Sequence, residues 1–160
     1  MSKGKGKRKV GAGDVASNRY ASHRYELSDR LECGIALRGS EVKSLRAGGA
    51  QLKDGYASID SGELWLHSVH IPPYMPASRD NHEPERPRKL LVHRRELDKL
   101  ASQTKERGWT IVPTRIYFSG PRAKVEIALG RGKTQYDKRD SLRKSEQQRE
   151  IQRALRDAER

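Results

Sequence analysis

Apolar positions in the first half of the chain alternate with polar ones and then change to a helical spacing. The alternation over residues 25–37 predicts a strand, bent where Gly34 contributes no side chain. A short helix is predicted over residues 41–47, because Ser40 is a suitable N-cap and a pair of glycines follows. The alternation returns over residues 56–71, interrupted by a Ser-Gly pair that is typical of a hairpin turn. The first half therefore predicts three strands and one helix.

The second half repeats the order of helix and hairpin after a proline-rich connection. Residues 72–89 contain five of the seven prolines, which predicts a long loop or a crossover connection. Leucines at helical spacing predict a helix over residues 94–105, and a second hairpin is predicted to turn at residues 119–122. Several short antiparallel strands with inserted helices favour a mainly β fold, an OB-fold-like closed antiparallel β-barrel, over a sandwich.

Both ends of the chain are more basic than its middle. The whole sequence has 34 Lys and Arg against 21 Asp and Glu; five cations and no anions lie in residues 1–10, and ten cations and six anions in residues 130–160. We expect a flexible basic N-terminus over residues 1–17, a barrel over residues 18–129, and a basic tail over residues 130–160 that becomes helical on binding. Such ends suit a polyanionic partner, although basic ends that merely solubilise the chain are the alternative.

Several classes of protein are disfavoured. No apolar run approaches the ~20 residues of a membrane span, and the N-terminus lacks the apolar segment of a signal peptide, so we expect a cytoplasmic protein without membrane contact. Cys33 is the only cysteine, which excludes an intramolecular disulfide and suggests a packing residue.

The sequence contains no strong match to a phosphate-binding, metal-binding or catalytic motif. The GRGKT stretch at residues 130–134 lacks the first glycine of a phosphate-binding loop, since Ile127 occupies that place. His67 and His70 are spaced to leave opposite faces of a strand, so they are not a metal pair. We predict no cofactor, no metal and no catalysis, although an enzyme whose site is assembled only in three dimensions stays open.

Tyrosine is the commonest aromatic residue, with six copies against one phenylalanine. Its ring can stack on RNA bases while its hydroxyl forms hydrogen bonds. Tyr20, Tyr25 and Tyr136 flank basic residues and are therefore RNA candidates. The aromatic residues predicted to fill the barrel instead are Tyr56, Trp65, Trp109 and Tyr117.

Five stretches together carry a family resemblance. In chain order they are NRYASHRYEL, CGIALRGSEVKSLRAG, LKDGYASIDSGELWLHSVHIPPY, RPRKLLVHRREL and GKTQYDKR. They resemble the SsrA-binding protein (small protein B) family over about residues 18–140, and the far tail resembles it in character only. The resemblance implies an OB-type barrel that binds the tRNA-like domain of transfer-messenger RNA. It also implies delivery with elongation factor Tu and GTP to ribosomes stalled on truncated messages, where trans-translation begins.

The resemblance also implies two sets of contact residues. Those for the tRNA-like domain are Asn18, Glu32, Leu91 and Lys124, to which Tyr25 is added from its basic neighbours. Those for the decoding centre of the small ribosomal subunit are Gly132, Lys133, Tyr136, Asp137, Lys138 and Arg139. Thr134 stands where family members often have lysine, so the resemblance implies no phosphate contact from this residue.

The residues themselves support part of this assignment. Lys124 alternates outward on its strand and suits a phosphate, whereas Leu91 has the sequence context of a core residue. Asn18 and Glu32 can accept hydrogen bonds from bases or 2′-hydroxyls. The alternatives are that Asn18 only turns or caps the chain and that Glu32 only pairs with a surface arginine.

The tail is predicted to be a helix with a phosphate-binding side. At 100° per residue, its cationic positions fall opposite Ile151 and Leu155. The cations on that side are Lys138, Arg149, Arg153, Arg156 and Arg160. We expect this tail to be unfolded when free and to fold, over roughly 28 Å, in an mRNA channel that is empty. The alternatives for the whole chain are a general RNA-binding OB protein, a constitutive ribosome component or an RNA-processing enzyme.

Overall fold

The computed structural model describes residues 13–106, 108–133 and 135–159, with backbone alone at residues 78 and 135–138. The strands are β1 Asp14–Ser17, β2 Tyr25–Ile35, β3 Tyr56–Asp60, β4 Glu63–His67, β5 Arg88–Leu91, β6 Trp109–Ser119 and β7 Arg122–Gly132. The helices are α1 Ala21–Arg24, α2 Gly39–Arg46, α3 Arg94–Thr104 and α4 Gln135–Ala158, and a 3₁₀ helix spans Met75–Asp80. Both predicted hairpins and the predicted helix before the second hairpin are present.

Six strands close into a ring. Their order is β6-β3-β4-β5-β2-β7, the β6–β7 pairing completes the circle, and β1 adds to β6 outside it. Every pairing is antiparallel. Closure leaves few strand edges unpaired. The predicted OB-like closed barrel is confirmed.

Strand β2 bends at a different residue from the one predicted. The register of β2 against β7 shifts between Ser28 and Leu31, and Asp29 within this bulge has a φ of 49°. Gly34 serves a close approach instead, because a Cβ built on it would lie 3.2 Å from the Cβ of Leu91 on β5. The absent side chain thus lets β5 come close to β2.

The barrel interior is filled by aliphatic side chains from the strands and from α2 and α3. Its fully buried members include Leu45, Leu64, Leu66, Ile71, Leu90, Ile111, Ile116, Ile127 and Leu129. Cys33 is buried among them, and burial above all, with the charges of Glu96 and Glu32, raises the pKa of its thiol to about 12. A protonated buried thiol agrees with the predicted packing role.

The proline-rich connection is fastened by buried polar groups rather than lying free. Glu41 of α2 is fully buried and accepts hydrogen bonds from Arg86 and, at 2.7 Å, from Nε of Arg88. The Arg88 guanidinium also donates to two backbone carbonyls, and burial lowers its pKa although the Glu41 hydrogen bond opposes this. The N-cap of α2 is Arg38, not the predicted Ser40. The Ser40 hydroxyl instead forms a hydrogen bond with Nδ1 of His82 in the connection.

The structure moves both predicted boundaries of the barrel. Strand β1 places residues 14–17 in the fold, so the barrel begins before Asn18, because these residues pair with β6. Residues 1–12 of the predicted flexible N-terminus lie outside the described residues. Strand β7 continues to Gly132, three residues beyond the predicted end. No helix in the described ranges is both long and apolar enough to cross a membrane.

Candidate nucleic-acid interface

Three predicted RNA-contact residues lie together on the outer face of the barrel. Leu91 on β5 pairs with Gly34 on β2, and Gly34 pairs on its other side with Lys124 on β7. Paired residues project to the same face, and so does Glu32, two residues before Gly34. Leu91 is 53% exposed, so it lies outside the core that its sequence context suggested. A carboxylate, a cation and an apolar side chain therefore lie around Gly34, and we call Glu32, Gly34, Leu91 and Lys124 the Glu32 surface.

Glu32 is held in place by two neighbours. The Tyr117 hydroxyl on β6 donates a hydrogen bond to Oε2 of Glu32, and Nζ of Lys124 lies 4.0 Å from Oε1. Burial, followed by this hydrogen bond, raises the pKa of Tyr117 to about 12, so the phenol keeps the proton that it donates. The Glu32 side chain remains 56% exposed and retains free acceptor positions. An oriented acceptor on a rigid strand suits recognition of RNA donors.

A partly buried ion-pair network lies next to this surface. Glu126 on β7 is 5% exposed and accepts hydrogen bonds from Arg30 at 2.9 Å and from Arg115 at 2.7 Å. Burial by itself raises the pKa of Glu126, but hydrogen bonds from the two arginines outweigh it and hold the pKa below its usual value. Arg115 also bonds Asp14 of β1 and lies over the Tyr117 ring. The network thus positions the tyrosine that orients Glu32.

This network was not predicted from the sequence, although the pairing of β6 with β7 could have revealed its tyrosine. Counting outward from the turn pairs Ser119 with Arg122 and then Tyr117 with Lys124. A predicted phosphate-binding lysine therefore has Tyr117 as its cross-strand partner. The arginine contacts depend on the bulges near residues 29 and 114, and no local pattern shows those bulges.

Asn18 has a structural role in this fold. Its Nδ2 donates to the carbonyls of Leu52 at 3.1 Å and Pro113 at 3.0 Å, while its Oδ1 accepts from the Ala21 amide at 3.2 Å. Both amide hydrogens are therefore used inside the protein. The alternative in which Asn18 turns the chain is observed, and its RNA contact stays a prediction.

Tyr25 and Asn18 lie at a second location. Both line a cavity of about 220 Å³ beside α1. The residues that line it are Asn18, Ala21, Arg24, Tyr25, Lys53, Asp54, Gly55, Tyr56, Thr110 and Val112. Tyr25 and Glu32 are seven residues apart on β2, roughly 23 Å along an extended strand. The five residues predicted to contact the tRNA-like domain thus form two groups.

Most of the aromatic residues predicted to fill the barrel lie outside its interior. Tyr56 is 45% exposed and stacks on His67, and Tyr117 lies on the outer face beside Glu32. Trp65 is half-buried between two buried leucines and so leaves the opposite face of β4. Trp109 alone of the four packs against the core cluster. Strand residues were assigned correctly here, but their faces were not.

No group of three or more possible metal ligands occurs among the residues that the structure describes. Nε2 of His67 forms a hydrogen bond with the Ser58 hydroxyl, while Nδ1 of His70 lies 3.7 Å from a carboxylate oxygen of Glu85. The two histidines therefore have different partners.

Similarity to known proteins decides the family. A family model described as SmpB protein matches residues 15–157. The chain belongs to the SmpB family. An SsrA-binding protein of Thermobifida fusca (strain YX) is 56% identical over 142 residues, which cover 89% of each chain. One from Carboxydothermus hydrogenoformans is 51% identical over 89% of this chain and 95% of its own. A solved chain from work described as "tmRNA-SmpB: a journey to the center of the bacterial ribosome" matches with a TM-score of 0.65 and 42% identity, covering 80% of this chain and 94% of that one.

The tail of this SmpB family member is joined to the barrel by Lys133. Its backbone amide donates to the carbonyl of Arg24 at 2.9 Å, and its Nζ donates to the carbonyl of Ser22 at 2.8 Å and to Oγ of Ser141 at 2.9 Å. One of the three ammonium donors is left for another partner. A Cβ on Gly132 would meet nothing within 4 Å, so packing in this chain does not require glycine there.

The tail itself is helical in the structure. Helix α4 spans Gln135–Ala158, and its side chains from residue 142 onward are exposed apart from half-buried Ser145. Ile151 and Leu155 are 59% and 60% exposed. The cationic positions Arg139, Arg149, Arg153 and Arg156 are exposed as well. The predicted helix is confirmed, whereas its dependence on the ribosome stays a prediction. The side chains of Tyr136, Asp137 and Lys138, and all of Thr134, lie outside the described residues.

Proposed function

We propose that this chain binds the tRNA-like domain of transfer-messenger RNA and brings it to stalled ribosomes for trans-translation. Its relatives are named for binding SsrA, and the similar solved chain comes from work on tmRNA-SmpB in the bacterial ribosome. The observation that carries the proposal is the Glu32 surface, on which an oriented carboxylate, a lysine and an exposed leucine meet. Cytoplasmic location and an indirect link to elongation factor Tu through the RNA belong to the same proposal.

The Glu32 surface offers the contacts that a folded RNA needs. Lys124 would neutralise a phosphate and fix the position of the RNA backbone. Glu32 would accept a hydrogen bond from a base amino group or a 2′-hydroxyl, and Leu91 would pack against a ribose or an exposed base. These groups bind and orient RNA, and we assign no catalytic step to the protein.

Helix α4 would act at the ribosome rather than on transfer-messenger RNA. Its 24 residues give a length of about 36 Å, and Arg149, Arg153 and Arg156 form one cationic side. In an mRNA channel with no message, that side would face the phosphates of ribosomal RNA. Gly132, Lys133 and the first turn of the helix, including Tyr136, Asp137, Lys138 and Arg139, would lie at the decoding centre.

The test is a salt titration of the full chain with the tRNA-like domain and with a folded control RNA of equal length. We expect the tRNA-like domain to bind at least about tenfold more tightly at every salt concentration, because base and hydroxyl contacts add to the electrostatic attraction. Equal binding of both RNAs would instead identify a general RNA-binding protein. Gel analysis of the RNA after incubation checks the absence of cleavage, and protein-dependent cleavage would identify an enzyme.

A further inference from the structure

The cavity beside α1 has the side chains of a base-binding site. One face of the Tyr56 ring stacks on His67, with centroids 5.1 Å apart and an interplanar angle of 23°. The side chain is nevertheless 45% exposed, and Tyr56 and Tyr25 both line the cavity. Tyrosine rings in an open cavity provide surfaces on which any base can stack.

Cations stand next to these rings. Lys53 lines the cavity, and its Nζ lies 4.7 Å from the ring centroid of Tyr20, which is 52% exposed. Arg24 lines the cavity from α1. Within the described part of the chain, neither cation forms an ion pair, although the Asp54 carboxylate also lies on the rim. Two cations beside aromatic rings suit a base that carries its phosphate.

We propose that this cavity, the tyrosine pocket, binds one unpaired RNA base, with Tyr56 as the stacking surface and Lys53 and Arg24 at the adjoining phosphate. The volume of about 220 Å³ is below the ~300 Å³ at which sites for whole small molecules begin, so a single base fits better than a larger ligand. The inference rests on the proposed function only in that the partner is RNA.

The position of the tyrosine pocket separates it from the Glu32 surface. Tyr25 pairs with Gly132 at the end of β7, and the carbonyl of Arg24 accepts the amide of Lys133. The pocket therefore adjoins the base of α4, whereas the Glu32 surface lies further along β2. The base has two possible sources, the tRNA-like domain itself or the ribosomal RNA that would surround the tail.

Base binding can be measured directly by NMR on the full chain. Adenosine 5′-monophosphate is the probe, and ribose 5-phosphate, which has the phosphate but no base, is the control. We expect the ring resonances of Tyr25 and Tyr56 to shift with adenosine 5′-monophosphate and to stay nearly unchanged with ribose 5-phosphate. Equal responses to the two probes, or shifts confined to tyrosines outside the cavity, would overturn the proposal.

Substitution identifies the source of the base. Tyr56→Leu removes the stacking ring and Tyr56→Phe keeps it, while Tyr74→Leu is a matched control because Tyr74 also lies near a lysine but outside the cavity. We expect Tyr56→Leu alone to weaken binding at least about fivefold, either to the tRNA-like domain or to small ribosomal subunits. Loss in the first assay assigns the base to transfer-messenger RNA, and loss in the second assigns it to ribosomal RNA. Unchanged binding in both, with wild-type thermal stability, would overturn the pocket without affecting the test of the proposed function.

Discussion

At the residue scale, the neighbours of a side chain determine its use more than its own chemistry does. Glu32 and Glu126 are directly paired on adjacent strands. Glu126 accepts hydrogen bonds from two arginines and is buried. Glu32 accepts a hydrogen bond from a tyrosine hydroxyl, lies 4.0 Å from the ammonium group of a lysine and stays exposed. The same carboxylate is therefore a structural anion in one place and an available acceptor in the other. Alternation along β7 places Glu126 on the same face as Lys124, but it cannot show which of the two carboxylates meets cations from distant strands.

Replacing Glu32 tests its role as an acceptor. We expect Glu32→Ala to lose about 1–3 kcal/mol of the discrimination between the tRNA-like domain and a control RNA, because one oriented hydrogen bond disappears. Glu26→Ala removes an exposed carboxylate from the same strand and is the matched control. Competition binding at fixed salt measures both variants. Discrimination that falls equally in both would show that net charge, not position, is responsible.

The lowered pKa of Glu126 predicts how its contribution to stability depends on pH. Because the folded pKa lies below the unfolded value of 4.5, this contribution is complete above pH 4.5 and is lost as pH falls through the folded pKa. Glu126→Gln should be less stable than wild type at neutral pH, and the difference should shrink in acid. Urea unfolding at several pH values measures this. A difference that stays constant down to about pH 3 would exclude the arginine pairs as its source.

A side chain at position 130 would press against Tyr25, whereas a side chain at position 132 would meet open space, so the two glycines form a matched pair. A Cβ on Gly130 would lie 3.0 Å from Cβ and Cγ of Tyr25, whereas a Cβ on Gly132 would meet nothing within 4 Å. Gly130→Ala should therefore cost about 1–3 kcal/mol of folding free energy, while Gly132→Ala should be close to neutral. Chemical denaturation distinguishes them. Equal costs would mean that the Tyr25 ring moves aside without penalty.

At the scale of elements, local periodicity was sufficient to predict the hairpins and helices. It was insufficient to predict the long-range contacts that hold the connections between them. The pair β6 and β7 and the helix α3 follow from alternation, leucine spacing and turn residues that lie close together in sequence. The proline-rich connection looked like a free loop because its anchors Glu41 and Arg88 are 47 residues apart. The cavity beside α1 was likewise not predictable, since it combines residues from three separate parts of the chain.

Helix α4 can be broken without changing the barrel. Replacing Ile151 and Leu155 by proline removes helical hydrogen bonds in a segment whose side chains contact little else. We expect binding to transfer-messenger RNA to stay almost unchanged and peptide tagging on truncated messages to fall strongly. The alanine variants at the same positions keep helix propensity and separate helix formation from the apolar contacts. Tagging in a reconstituted system, on messages of increasing length past the stall codon, is the measurement. Normal tagging by the proline variant, or equal tagging of long and short messages by the wild type, would contradict the proposed role of α4 in an empty mRNA channel.

At the scale of the whole molecule, we expect selectivity to come from the barrel and general RNA affinity to come largely from the basic tail. Deletion of residues 134–160 keeps β7 complete, whereas deletion from residue 130 would remove its last three residues. We expect the shorter deletion to lower affinity for all RNAs and to reduce the salt dependence, because fewer counterions are released. Discrimination should be nearly intact, since the Glu32 surface is unchanged. Salt titrations with both RNAs test this, and a truncated chain that no longer discriminates would place selectivity in the tail.

The hydrogen bonds of Lys133 orient the tail relative to the barrel, in addition to attaching it. A flexible tail attached to the barrel would search a sphere around its attachment point, and only a small part of that volume would contain its target. A helix fastened near its first turn, by the link from Ser22 through Lys133 to Ser141, would be confined to a smaller range of directions. Confinement of this kind raises the effective concentration of the far end along one direction. Docking of the barrel on the ribosome would thereby orient the helix toward the mRNA channel before its C-terminal end makes any contact.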